Sequence, residues 1–279
     1  MRRWSFPGAR PGVAGAVLVV VWLAGAGAGA RAQDLTPVEG FQIVHQGSGL
    51  TLHDEWLILP FTHADRYHGR NTEVVFQISA KQALAGSHFY FAYTQISYWQ
   101  AYNADGSAPF RDTNYRPAAF YRTPARPFRG GQVGADAGFE HESNGQRELL
   151  SRSWNQIYAA PHYQRDRLLL RLKLRWRIPE KAKETPLSAK GDDNPDITDY
   201  LGSADLHLYY RWHNERQIHL LVRGNPGTGR GYASLNLSQP LPHEQRAWLV
   251  VTLSHGYGES LLDYDRKVSR AGIGFMLAR

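Results

Sequence analysis

The sequence contains no cysteine, so disulfide bonds and cysteine-ligated zinc or iron–sulfur centres are excluded, and the fold must hold without covalent staples. Methionine is nearly absent, at 2 residues against 15 Tyr, 8 Trp and 11 Phe, so amphipathic rings supply much of the large side-chain surface. Past residue 32 there is no run of 18 apolar residues. That excludes a membrane-spanning helix in this part of the chain but leaves a barrel open, because lipid-facing and lumen-facing residues alternate along a barrel strand. An excess of one charge is also largely missing. The formal charge is +7, but Arg2, Arg3, Arg10 and Arg31 lie in a leader without acidic residues; taking those four from 32 leaves 28 basic against 25 acidic side chains. A nucleic-acid footprint is not supported. At 279 residues the chain is one large β domain or two average domains.

Residues 1–32 read as an export signal, with Arg2, Arg3 and Arg10 as the positive start, Val13 to Ala26 as the apolar core and Ala30-Arg31-Ala32 as small-residue cleavage site. Cleavage after Ala32 leaves residues 33–279 as the mature domain. The alternative is an N-terminal membrane anchor, against which the apolar core is shorter than the ~20 residues a bilayer requires.

The strongest period-two segment follows Arg167. Leu168, Leu170, Leu172, Leu174, Trp176 and Ile178 alternate with Arg167, Leu169, Arg171, Lys173, Arg175 and Arg177. On a strand this sets six apolar groups on one face and five cations on the other, which only water or buried carboxylates tolerate. A lumen provides both. Weaker copies run through Leu206, Leu208, Tyr210 and Trp212, through Ile218, Leu220 and Val222, and through Ala247, Leu249, Val251 and Leu253, with upstream versions at Val74, Phe76 and Ile78 and at Phe89, Phe91 and Tyr93. Segments separated by turn signals number twelve, near 55–62, 73–80, 88–100, 115–122, 131–144, 152–162, 165–178, 203–212, 216–223, 231–238, 246–256 and 267–277. An even count of long strands predicts an all-β, up-and-down, twelve-stranded antiparallel transmembrane β-barrel with Tyr and Trp girdles. A secreted soluble β-sandwich is the rival fold. The connection 179–202, with Asp192-Asp193-Asn194-Pro195-Asp196, reads as an exposed acidic loop and a possible cation site.

The strand ending near residue 144 carries the chemistry. Val133, Ala135, Ala137, Phe139, His141 and Ser143 share one face, and Gly134, Asp136, Gly138, Glu140 and Glu142 share the other. The first face begins apolar and so faces lipid, which places an imidazole and a hydroxyl two residues apart on the outer wall. Polar groups shown to hydrocarbon are costly unless used or paired. A symmetric hairpin would set Ser143 opposite Ser153 and His141 opposite Asn155, the residue types of a Ser–His–Asn triad in which the amide fixes the imidazole tautomer. The same spacing also fits an ordinary polar cluster in an aromatic girdle.

Gly138-Phe-Glu-His-Glu-Ser-Asn-Gly145 followed by Ser151-Arg-Ser-Trp-Asn155 resembles the signature of Gram-negative outer membrane phospholipase A. Further matches are Tyr93-Thr-Gln-Ile-Ser-Tyr-Trp-Gln100, Pro109-Phe-Arg-Asp-Thr-Asn-Tyr115, Asp192-Asp-Asn-Pro-Asp-Ile-Thr198 and Gly256-Tyr-Gly-Glu-Ser-Leu-Leu-Asp-Tyr264, spread over nearly all of the mature chain. The resemblance implies a calcium-dependent hydrolase of the outer membrane that cleaves sn-1 and sn-2 acyl esters of phospholipids and lysophospholipids. It implies Ser143 as nucleophile, His141 as base, Asn155 as its orienting partner and the Gly145 N–H as oxyanion donor. It also implies a homodimer as the active form, with Ca2+ held by Ser107 of one subunit and Gln146 and Ser151 of the other, Asp193 as a further loop ligand and Gln95 in the dimer interface. Three departures stand out: Gln146 where the family has arginine, Glu148 where it often has aspartate, and an ending Phe275-Met-Leu-Ala-Arg279 without the terminal aromatic that barrel assembly uses.

Two rivals remain. A non-enzymatic pore would be lined by Arg171, Lys173 and Arg175, a row that Glu140 and Glu142 could instead neutralise. A secreted soluble lipase would not stay with the membrane. His213, His219 and His243 are too scattered for a metal site and suit the surface or the lumen.

Overall fold

The computed structural model describes residues 40–279 except 48, 67–70, 189 and 243–246. The leader with its cleavage point after Ala32, and His243, lie outside the described residues. Fourteen strands follow in antiparallel sequence: β1 Leu50–Thr51, β2 Trp56–Ala64, β3 Thr72–Ala83, β4 Phe89–Trp99, β5 Phe110–Arg122, β6 Arg126–Phe128, β7 Gly131–Ser143, β8 Ser153–Arg165, β9 Leu168–Ile178, β10 Ala204–Trp212, β11 Arg216–Asn225, β12 Arg230–Pro240, β13 Trp248–Tyr257 and β14 Lys267–Ala278. Twelve of them are long and pair with their sequence neighbours around a closed ring in which β14 returns to β2; β1 and β6 are short additions to β3 and β7. Closure removes the unpaired edges an open sheet would present.

Alternation decides which way each side chain points. Along β9, Leu169, Arg171, Lys173 and Arg175 are buried while Leu172 and Trp176 are exposed, so the cationic row faces the lumen. The burial of those cations is compensated individually. Lys173 Nζ lies 2.7 Å from Glu140 Oε1, Arg171 reaches Asp136 at 3.7 Å, and Arg175 pairs with Asp205. Glu140 thus neutralises the row as its position suggested, but Glu142 does not: its Oε2 accepts from Trp154 Nε1 at 2.9 Å, and Asp136 and Asp205 take the remaining cations. The wall beyond carries a second network, in which Arg270 spans Glu73 and Glu259 at 2.8 and 2.7 Å and Arg111 reaches Glu73 and Asp263. A carboxylate and a guanidinium taken out of water together avoid the large penalty of a lone buried charge.

Described residues just ahead of β2 close one end of the ring. Phe41, Ile43, Val44 and Leu52 pack on the inward-facing Leu169 and Tyr209. Buried Lys81 donates to the Ile43 carbonyl at 3.0 Å and also to that of Leu52, while Arg122 donates to the Ile43 and His45 carbonyls at 3.1 and 3.2 Å. Within the lumen lies a cavity of about 170 Å³ bordered by Glu55, Arg171, Lys173, Asp205, His207 and His219. His219 bonds Glu55 at 2.9 Å and His207 at 3.0 Å, so it belongs to the lumen, whereas His213 sits in the exposed turn before β11.

Alternate turns fall at opposite ends of the ring. The connections after β4, β7, β9, β11 and β13 share one end, and the stretch 179–202 is the longest of them. It is not a free loop. Arg177 Nη2 holds both Asp192 oxygens at 2.6 Å, Ala182 bridges Asp192, and the short helix α1, Ile197–Leu201, buries Ile197 and Leu201 against Trp154, Leu261 and Tyr264. Burial and a hydrogen bond to Asp196 push the Tyr264 phenol well above its ordinary range.

Candidate active site

The β7–β8 hairpin pairs His141 with Asn155 and Ser143 with Ser153, the register a symmetric turn predicts. Parity then fixes direction. Phe139 and Ile157, two residues from His141 and Asn155 on the same face, are exposed, whereas Glu140, Trp154 and Gln156 point inward and are buried. His141, Ser143 and Asn155 therefore lie on the outer wall, half-buried, near the end of the ring that carries the long connections.

His141 Nδ1 and Asn155 Oδ1 are 2.9 Å apart. An amide oxygen can only accept, so this contact places the imidazole proton on Nδ1 and leaves the Nε2 lone pair free. Ser143 follows two residues on, roughly 6–7 Å along the strand by extended-chain geometry. Its hydroxyl has no side-chain hydrogen bond among the described residues, so the structure brings together the imidazole and the amide, with the serine beside them and not bonded. Catalytic hydrogen bonds are commonly long before substrate arrives. Tyr115 of β5 pairs with Ser143 on the other side and its ring comes close to Gly145. Gly145 turns the chain at φ +63°, a conformation side-chain-bearing residues rarely adopt, and this exposes the start of the 145–152 loop.

That loop is built around buried Asn144. Its Oδ1 accepts from the backbone N–H of Gln146 and Arg152 at 3.3 and 2.9 Å, and its Nδ2 donates to the Leu150 carbonyl at 2.8 Å. Ser151 Oγ donates to Asp193 Oδ2 at 2.7 Å and Ser153 Oγ to the same oxygen at 3.2 Å, while Asn194 Oδ1 receives the Ser153 N–H at 3.0 Å. Ser151 and Asp193 therefore meet. Gln146 is exposed on the same loop, and Ser107 sits apart on the β4–β5 connection, at φ +59°. Among the described residues no cluster of three or more histidine, aspartate or glutamate side chains is arranged around a metal position. The donors that do meet are a carboxylate and hydroxyls, hard oxygens of the kind Ca2+ takes, so the residues fit the ion. One feature opposes it: Lys183 pairs with the free oxygen of Asp193.

On the neighbouring wall Tyr93 Oη donates to Gln95 Oε1 at 3.0 Å, Gln95 Nε2 to Ser97 Oγ at 3.1 Å, and Thr113 Oγ1 to Ser97 Oγ at 3.2 Å. This polar ladder satisfies its own groups on the outer surface, where no water would otherwise serve them.

Asn144, Glu180 and Lys183 escaped the sequence reading. Asn144 lay inside the signature, but its scaffold role depends on a loop path that no periodicity reports. Glu180 follows from register: β8 pairs Asn155 with Ile178, so the residues just past Ile178 sit beside that amide.

A closed ring of alternating strands with a self-filled interior has the architecture of an outer membrane β-barrel, and this one carries an imidazole–amide pair and a serine on its lipid-facing wall. A family model for phospholipase A1 matches residues 53–277. Phospholipase A1 of Klebsiella pneumoniae is 36% identical over 219 residues, covering 75% of this chain and 72% of the relative. A Neisseria meningitidis relative is 38% identical over 217 residues, and the chain spans about half of that protein, 55%. Outer membrane phospholipase A from Escherichia coli superposes with a TM-score of 0.73 at 29% identity over 85% of this chain and 95% of that one. The Salmonella typhi outer membrane phospholipase dimer with bound calcium superposes at 0.74, also at 29% identity, with the same coverage. The chain belongs to the phospholipase A1 family.

Proposed function

We propose that this protein hydrolyses acyl esters of glycerophospholipids and lysophospholipids at the outer wall of its barrel, at sn-1 and sn-2, as a calcium-dependent homodimer. Residues 1–32 serve as the export signal, removed after Ala32. His141 Nε2 takes the proton from Ser143 Oγ as that oxygen attacks the ester carbonyl. The charge developing on the carbonyl oxygen is met by the Gly145 N–H, and the imidazolium returns its proton to the departing alcohol oxygen, leaving an acyl ester on Ser143. Water, deprotonated by the same imidazole, releases the fatty acid and restores the serine. Asn155 Oδ1 holds Nδ1–H throughout. Calcium, when bound, supplies positive charge that polarises an ester oxygen or a water; Gln146, Ser151 and Asp193 with Ser107 of the partner subunit would hold it. A lone protomer lacks Ser107 from the second copy, which accounts for a dormant monomer.

The observation that carries this reading is the 2.9 Å His141–Asn155 contact on the lipid-facing wall, beside Ser143. Fatty acid release from phospholipid–detergent mixed micelles, with and without calcium chelation, tests it. Release that stops on chelation and returns with added Ca2+ is expected; no release under any calcium level contradicts it.

A further inference from the structure

Asn155 makes a second hydrogen bond that the reaction above does not use: its Nδ2 donates to Glu180 Oε1 at 2.9 Å. We propose that Glu180 is a positioning residue that locks the orientation of the Asn155 amide and so completes a Ser143–His141–Asn155–Glu180 relay. The inference rests on the proposed role of the first three residues.

The oxygen and nitrogen ends of an asparagine amide have nearly the same shape, so packing alone does not choose between them. Turned the wrong way, Asn155 would present N–H to the imidazole, which would then need its proton on Nε2, where it could not accept from serine. A carboxylate is acceptor-only. Placed at the far side of the amide, Glu180 accepts from Nδ2 and makes the flipped arrangement costly, because two oxygens would then face each other. The hydrogen bond is also charge-assisted, and it polarises the amide so that Oδ1 is a better acceptor for an imidazole that gains charge during the reaction.

The backbone makes this placement reproducible. Ile178 at the end of β9 pairs with Asn155, and Pro179 fixes the next φ, so the chain turns past the amide within two residues. Beyond it the connection is pinned by the Arg177–Asp192 ion pair and the Ala182–Asp192 bridge. Glu180 is exposed to solvent but sits on an anchored segment.

The test uses the full mature chain in mixed micelles with saturating calcium. The variants are Glu180→Ala, Glu180→Gln, Asn155→Ala and the Asn155→Ala/Glu180→Ala pair, each checked for the heat-resistant mobility of a folded barrel. Glu180→Ala is expected to lower kcat about tenfold with KM unchanged, the low end of what an outer partner of an oriented imidazole contributes. Glu180→Gln, whose amide oxygen accepts the same hydrogen bond, recovers most of that loss, and the double variant is no slower than Asn155→Ala alone. Wild-type kcat in Glu180→Ala, a change confined to KM, or losses that multiply in the double variant would each overturn the proposal. Ser143→Ala measured alongside separates the two ideas. If it retains hydrolysis, the serine mechanism itself fails; if it is silent while Glu180→Ala is fully active, only the role of Glu180 fails.

Discussion

In the proposed reaction a single amide at position 155 and a single imidazole at position 141 do unequal work. There His141 moves a proton at each step, whereas Asn155 holds a tautomer that the free ring already populates in part. Replacing His141 with alanine is therefore expected to cost about 10³-fold in kcat, within the range for removal of a general base. Asn155→Ala should cost about 10–100-fold, as outer partners do. Initial-rate measurements on both variants at saturating lipid check the ranking, and an Asn155→Ala loss as large as that of His141→Ala would contradict it. Inside the barrel the decisive residue is Arg122, 0% exposed, which holds Asp136 through Nε and Nη2 at 2.6 and 2.8 Å. Arg122→Leu strands Asp136 without its closest cation in the lumen and is expected to destabilise the barrel by about 3–5 kcal/mol, seen as unfolding at a lower temperature in gel-mobility assays. Adding Asp136→Leu should restore much of it, since the orphaned charge then disappears.

At the scale of elements, the connection between β9 and β10 carries the most chemistry for its length. Its Asp193 is shared by Ser151, Ser153 and the Lys183 ammonium, so any added cation competes with an internal one. Lys183→Met is expected to tighten calcium binding by about two- to fivefold, the worth of one ion pair near the surface. Titration calorimetry of the detergent-solubilised protein reads this directly, and unchanged affinity would count against Asp193 as a ligand. The strands were legible in the sequence because period-two alternation survives wherever one face meets lipid. Their ends were less so. β5 begins at Phe110 and not near 115 because Asp112 and Asn114, which look like loop residues, face the lumen and bond each other and the backbone of Leu261 and Leu262. β2 runs through Pro60 at a bulge against β3, where a missing N–H breaks no ladder bond. The packing of Phe41, Ile43, Val44 and Leu52 into one end of the ring left no trace in periodicity, because cations reaching backbone carbonyls anchor it. The same division holds at the site: parity and register put His141 opposite Asn155 from sequence alone, and the β8–β9 pairing of Asn155 with Ile178 then brings Glu180 to that amide, while Lys183 comes from a loop path set by tertiary contacts.

For the whole molecule the question is what a ring of this size does with its interior. Phe41, Ile43, Val44 and Leu52 close one end, paired charges fill the wall, and a cavity of about 170 Å³ lies among those charges. Planar-bilayer recordings are expected to show no stepwise porin-like conductance; large stable channels would contradict the pairing of Arg171, Lys173 and Arg175 with carboxylates. With the interior committed to structure, the proposed chemistry falls to the outer surface, which a lipid ester would reach by lateral diffusion in the bilayer. The most direct measurement is hydrolysis by Ser143→Ala, purified as a heat-resistant barrel and given calcium and mixed micelles beside the wild-type protein. The account predicts that fatty acid release falls to background while the fold persists. Release near the wild-type rate would show that the ester is cleaved by some other group.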